Sequence, residues 1–137
     1  MSLFVLDTDH VTLHQHNHPG VIAKIQACAP EELAITVVTL EEQMRGRLAQ
    51  LGRRGVNLAV AYEQFRATAD YFCDLTTLPF DAEAQQQYEQ LRSQKIRIGT
   101  LDLRIAGVVL RHNATLVTRN RRDFERVPGL RFEDWSQ

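Results

Sequence analysis

Apolar residues fall along this chain in two alternating rhythms. Short, mostly apolar runs at Leu3–Leu6, Leu33–Val38, Leu75–Leu78 and Ala114–Thr118 have the length and β-branched content of buried strands. Between them, apolar positions recur every three or four residues, the period of a helix with one inward face. Val21, Ile22, Ile25 and Cys28 mark one such helix, stopped by Pro30. Thr39 to Leu51 reads as a second helix, closed by Gly52. The segment Gly52-Arg53-Arg54-Gly55 is a turn. Asn57 then caps a long helix with Leu58, Tyr62, Phe65, Ala69 and Phe72 on one face. Pro79 ends the third strand, and Asp81 caps a helix reaching about Lys95 with Ala84, Tyr88 and Leu91 inward. Gly99-Thr100 opens another, with Leu101, Ile105, Val108 and Val109 inward. Leu130–Phe132 has the length of a last edge strand.

Strands alternating with helices predict an α/β sandwich on a mainly parallel sheet, with the strand C-termini gathered on one edge. The 137 residues suit one domain, residues 1–137. Sixteen Lys and Arg against seventeen Asp and Glu give a formal charge of -1, so any nucleic-acid surface must be local. No apolar run has the length of a membrane span, and residues 1–7 lack the charged start of a signal peptide. Cys28 and Cys73 have no metal-type spacing and read as reduced core residues of a cytoplasmic protein.

The chemistry-bearing residues share one kind of address: just after a strand, or in the first turn of a helix. Asp7 closes Leu3–Leu6, where an ionised acid near a core needs positive compensation. Glu42 follows the second strand, Asp102 the helix start at Thr100, and Asn120 the Ala114–Thr118 strand, with Asp123 three residues on. Gathered at one edge, these oxygens would form a hard site suited to Mg²⁺ or Mn²⁺ and to phosphodiester hydrolysis by a metal-activated water. Each position also has a capping explanation. Thr39-Leu40-Glu41-Glu42 reads as a capping box, Asp102 favours the helix dipole, and Asn120 and Asp7 stand where caps stand. Glu41 and Glu42 point about 100° apart on a helix, so only one of them can serve.

These residues sit in motifs that resemble the PIN-domain family. Leu6-Asp7-Thr8-Asp9 looks like its opening, and Ile35 to Glu42 resembles its second motif. Leu78-Pro79-Phe80-Asp81 with Ala84 and Tyr88 resembles its third-strand region, and Ile98-Gly99-Thr100-Leu101-Asp102-Leu103-Arg104-Ile105-Ala106 its central block. Ala114 to Asn120, Asp123-Phe124, Val127-Pro128-Gly129-Leu130 and Trp135 resemble its C-terminal block. The ordered set spans essentially the whole chain and is most similar to VapC-type toxins of bacterial toxin–antitoxin pairs. The resemblance implies a single PIN-like three-layer α/β/α sandwich with four to five strands. It implies an Mg²⁺- or Mn²⁺-dependent endoribonuclease, a cognate antitoxin that blocks the site, and a homodimer. It carries the acidic triad over to Asp7, Glu42 and Asp102, and the fourth position to Asn120. Thr8 and Thr118 become supporting hydroxyls.

Arg45, Arg47, Arg53 and Arg54 after Glu42, and Arg119, Arg121, Arg122 and Arg126 around Asn120, are candidates for phosphate contacts or ordinary solvated arginines. Arg104 reads as structural. His10, His14, His16 and His18 cluster, and His10 with His14 has the spacing of a helical metal pair. The commoner reading is a polar helix end and loop at the rim of the site. Two competitors to the nuclease therefore stand: a catalytically silent RNA- or protein-binding module of the same fold, and a Zn²⁺- or Ni²⁺-binding histidine protein.

Overall fold

Strand β1 (Phe4–Leu6) lies at the centre of a five-stranded sheet in which every neighbouring pair is parallel. β2 (Leu33–Thr36) and β3 (Thr76–Leu78) extend it on one side, β4 (Thr115–Val117) and β5 (Arg131–Glu133) on the other, in the order β3-β2-β1-β4-β5. The computed structural model describes residues 2–137. Connecting the strands are α1 (Thr8–Gln15), α2 (Pro19–Gln26), α3 (Val37–Leu51), α4 (Leu58–Asp74), α5 (Ala82–Ser93), α6 (Thr100–Arg111) and α7 (Arg121–Phe124).

The strands are short and buried on both faces, as parallel sheets require. Alternation sorts their side chains. Val5, Ala34 and Leu116 pack with Ala84, Tyr88 and Leu91 of α5 and Leu103 to Val109 of α6. Leu6, Ile35 and Val117 face the other way, onto Val11 of α1, Val21 of α2, Phe72 of α4 and Trp135. The result is the expected three-layer sandwich. Val5, Leu6, Ile35, Leu116 and Val117 are all fully buried, each stabilising the fold by about 1.5–3 kcal/mol. α5 and α6 approach closely at Gly107, where an added Cβ would lie 3.0 Å from the Ala84 carbonyl oxygen and 3.2 Å from Tyr88. That contact fixes the helix that carries Asp102.

Several local readings of the sequence are corrected. Val37 and Val38 belong to α3, because the Thr36 hydroxyl accepts the Thr39 N–H and caps the helix there. Thr39 is therefore not the cap, and Glu42 stands in the second turn of α3 rather than the first. α1 is a helix that the apolar pattern did not predict, and α2 starts at Pro19. Leu58 and Tyr62 of α4 face solvent, while Ala61, Thr68 and Phe72 face inward. Cys73 is exposed and Cys28 half-buried, so neither is a core residue in full.

Candidate active site

The strand order reverses direction at β1: the chain steps outward to β2 and β3, then crosses back to β4 on β1's other side. Open α/β sheets bind ligands beyond the strand C-termini at such a point. Asp7 leaves β1 there, and Thr118 leaves β4 beside it. The Asp7 N–H donates to the Val117 carbonyl at 2.9 Å, continuing the β1–β4 ladder. Its carbonyl accepts the N–H groups of His10 and Val11 at 3.0 Å, starting α1. The side chain accepts the Thr8 N–H at 2.9 Å on Oδ1 and the Thr118 hydroxyl at 2.8 Å on Oδ2. Asp7 is both the cap of α1 and a carboxylate only 5% exposed.

Glu42 reaches the same edge from α3. Its Oε1 accepts the Thr8 hydroxyl at 2.8 Å, and that hydroxyl lies 3.2 Å from the Thr39 hydroxyl. Glu41 turns away and pairs with Arg45 at 2.5 Å. Of the two glutamates it is Glu42 that faces this edge, and Arg45 is drawn off to Glu41 instead of facing the acids. Asp102, third residue of α6, comes from the opposite layer.

Asn120 caps α7: its Oδ1 lies 3.4 Å from the Asp123 N–H, and its Nδ2 donates to Asp123 Oδ2 at 3.1 Å. Its own N–H donates to the Thr118 hydroxyl at 3.0 Å, which ties it to the Asp7 partner. The capping explanation and the site explanation therefore hold together for Asp7 and Asn120.

Electrostatics shows which groups share the site. Burial first, then the charges of Asp9 and Asp102, push the Asp7 carboxyl up to about 7, against the lowering effect of its Thr118 and Thr8 hydrogen bonds. Partial burial, then the charges of Glu42, Asp123 and Asp9, push Asp102 up to about 6. Asp102 thus lies within the electrostatic reach of acids from three other stretches of sequence. Among the described residues, no Lys or Arg lies within ion-pair distance of Asp7, Glu42, Asp102 or Asp123. The donor set is all hard oxygen and short of positive charge, which fits a divalent cation such as Mg²⁺ or Mn²⁺. Among the described residues, no three His, Cys, Asp or Glu side chains are already drawn together tightly enough to hold an ion.

Asp9 was not singled out for the site from sequence. It is held by three groups: His10 Nδ1 at 2.7 Å, the Arg119 N–H at 3.0 Å and, more loosely, the Thr118 hydroxyl at 3.4 Å. His10 is fully buried, and its Nε2 accepts the Trp135 N–H at 3.1 Å, which fixes the Nδ1–H tautomer facing Asp9. His10 is therefore no rim residue. The other histidines are engaged as well. His14 Nδ1 meets the Tyr71 hydroxyl at 2.7 Å, and its partial burial lowers its pKa. His16 Nδ1 donates to the Thr12 carbonyl, and His18 Nδ1 accepts the Val21 N–H as the cap of α2. These engagements replace the histidine metal centre with structural roles. Arg104 stacks on Tyr88 with 5.5 Å from its guanidinium carbon to the ring centre, a structural position.

Known proteins share this chain's sequence pattern and fold. The PIN domain profile matches residues 4–130. The tRNA(fMet)-specific endonuclease VapC of Shigella flexneri is 35% identical over 99% of this chain and 100% of its own length. The protein of the same name from Salmonella typhimurium is 32% identical over 98% and 99%. Among solved structures, DNA-bound VapBC from Salmonella typhimurium superposes with a TM-score of 0.80 at 27% identity, covering 98% of this chain and 99% of that one. VapBC2 from Rickettsia felis, bound to a DNA fragment from its promoter, superposes with a TM-score of 0.78 at 28% identity over 97% and 98%.

Proposed function

This chain belongs to the PIN domain family, and from that premise we propose that it is the toxin of a toxin–antitoxin pair. It is an endoribonuclease that hydrolyses RNA phosphodiester bonds with Mg²⁺ or Mn²⁺ held by Asp7, Glu42 and Asp102. The observation that carries this reading is that Thr8 joins Asp7 and Glu42 at the sheet's switch point with no Lys or Arg among the described residues paired to either, while Asp102 feels the charge of Glu42. When bound, such a cation would acidify a water and offset charge on the phosphoryl oxygens.

The chain's own residues supply the rest. Thr118 and the Thr8 N–H hold both oxygens of Asp7, so its carboxylate presents one fixed orientation. Thr8 does the same for Glu42. Asn120 and Asp123, paired with each other and close enough for Asp123 to act on Asp102, offer an amide and a carboxylate that would orient a water. Asp7 must be ionised to act, so cation and proton compete for it.

A cognate antitoxin is the partner, as the VapBC complexes among the relatives support. We extend the reading to a homodimer working in the cytoplasm; exposed Leu48, Leu58, Val60 and Tyr62 leave apolar surface for a second polypeptide. Among the described residues, no helix is long and apolar enough to cross a membrane. A catalytically silent module is disfavoured because keeping several like charges together without function costs stability.

The test is cleavage of bulk transfer RNA by the purified protein, with the new ends sequenced. EDTA should stop the reaction and Mn²⁺ restore it, and Asp7→Asn should lose at least about 100-fold of the rate. An Asp7→Asn protein that cuts as well as wild type sinks the assignment.

A further inference from the structure

From the acidic cleft, α3 runs toward the turn at Arg53 and carries a polar stripe on one face: Gln43, Arg47 and Gln50, at helical spacings of four and three. Thr12 and Gln15 of α1 and Gln64 and Thr68 of α4 stand opposite. Gln15 and Gln43 exchange amide hydrogen bonds at 2.9 and 3.2 Å, and Gln50 donates to Gln64 at 2.6 Å. Two adjoining hollows of about 390 and 320 Å³ open along this stripe and share Arg47 and Gln64.

Arg47 is the unusual member. It is half-buried, and its guanidinium holds only neutral oxygens: Thr68 Oγ1 at 2.9 Å, Gln50 Oε1 at 3.3 Å and Gln64 Oε1 at 3.5 Å. Among the described residues, no acid lies within ion-pair distance of it, and the other arginines that lack one are exposed, except Arg104, which stacks on Tyr88. Beside it, Gly46 sits in mid-helix with no atom within 4 Å of where a Cβ would stand. A glycine there weakens the helix, and packing does not demand it. What it leaves is an open floor next to an uncompensated, pre-aimed cation.

We propose that this hollow is a subsite for a backbone phosphate of the RNA strand that enters the acidic cleft. The inference rests on the reading of the chain as an RNA-cleaving enzyme and names where the strand is held. Clustered acids repel a polyanion, so a strand reaching them needs a nearby positive charge that no carboxylate has already taken. Arg47 lies one helical turn beyond Gln43, the residue next to Glu42, and both line the same hollow. A planar guanidinium fork matches phosphate geometry, and the Gln43 and Gln50 amides add neutral donors. The larger hollow, lined by Gln43, Arg47, Gln50, Arg53 and Gln64, is mostly polar, which suits a sugar–phosphate strand better than an apolar peptide face.

The test measures binding apart from cleavage. An Asp7→Asn background keeps the RNA intact, and fluorescence anisotropy is followed against salt with two probes: bulk transfer RNA and a labelled single strand of about 15 nucleotides. Arg47→Gln is expected to weaken binding about 5- to 10-fold at low salt and to flatten the slope of log K against log salt by roughly 0.7 to 1. Arg47→Lys should keep most of the slope. Gly46→Gln, which fills the floor without changing charge, should weaken binding with the slope unchanged. Arg66→Gln on α4 should do neither.

Wild-type cleavage is scored separately. A protein that cuts RNA, yet whose Arg47→Gln form keeps full affinity and slope, overturns the subsite and leaves the nuclease standing. A protein that neither cuts nor binds overturns both. If Arg47→Gln spares RNA binding but releases a co-expressed antitoxin, the hollow is a protein seat and the subsite assignment falls.

Discussion

Thr8 and Glu42 meet through a 2.8 Å hydrogen bond that spans 34 positions of sequence and joins the exit of β1 to the second turn of α3. The carboxylate is thereby aimed by a hydroxyl that itself never needs to touch substrate. Removing such an orienting group from a metal ligand typically costs 10- to 100-fold in metal affinity. Thr8→Val should raise the Mn²⁺ concentration needed for half-maximal cleavage by about tenfold, while Thr8→Ser stays near wild type. A metal titration of both variants checks this; identical curves for Val and wild type would remove the orienting role.

Stability of the metal-free protein should fall as pH rises from about 4 to 7. Asp7 and Asp102 carry folded-state pKa values of about 7 and about 6, above their ordinary 3.8. In that window the folded chain binds more protons than the unfolded one, so folding loses free energy as pH rises. The stabilisation is fully present below the unfolded value and gone above the folded one. Thermal unfolding in EDTA at pH 5 and pH 8 measures it. Asp7→Asn should be the more stable protein at pH 8, and added Mg²⁺ should raise the wild-type melting temperature more at pH 8 than at pH 5. A melting temperature that rises across the window contradicts the sign.

His10→Ala should destabilise by about 3–5 kcal/mol. It opens a cavity at a fully buried position and leaves the Trp135 N–H and one oxygen of Asp9 without their partners. Urea unfolding measures the loss. His14→Phe should cost far less, since His14 is only half-buried and the Tyr71 hydroxyl can turn toward water. Comparable losses for the two would refute the distinction drawn between them.

Two mid-helix glycines should respond to alanine with opposite signs. At Gly46 nothing meets the added methyl group, so Gly46→Ala should stabilise by about 0.5–1 kcal/mol. At Gly107 the methyl group would press on the Ala84 carbonyl and Tyr88 at 3.0 and 3.2 Å, so Gly107→Ala should destabilise by about 1–3 kcal/mol. Denaturant midpoints of the pair decide it.

The strands and the acids at their ends were legible in the sequence because local signals sufficed. Short buried runs such as Leu33 to Thr36 can be little else, and Asp7 and Asp102 stand at fixed offsets from element starts. The helix beginning at Val37 was hidden because two β-branched residues prolonged a strand-like run, and the deciding contact, Thr36 on the Thr39 N–H, is a side-chain event. α1 was hidden because its sequence, TDHVTLHQ, carries little apolar periodicity. On α4 the periodic face was real but only Phe72 of it reached the core, since the start of the helix runs past the sheet with Leu58 and Tyr62 outward. Asp9 escaped notice and His10 was read as a metal-pair or rim residue because their roles depend on Thr118, Arg119 and Trp135, more than a hundred residues downstream.

The pairing of Phe4–Leu6 with Thr115–Val117 also sets a schedule. During synthesis the first strand waits for the fourth, and neither Asp102 nor the hydroxyl of Thr118 exists when Asp7 leaves the ribosome. Translation that stops short of residue 118 yields a polypeptide in which Asp7 lacks the hydroxyl that holds it. The last fifth of the chain thus decides when the acids at the head of the sheet acquire their full set of neighbours.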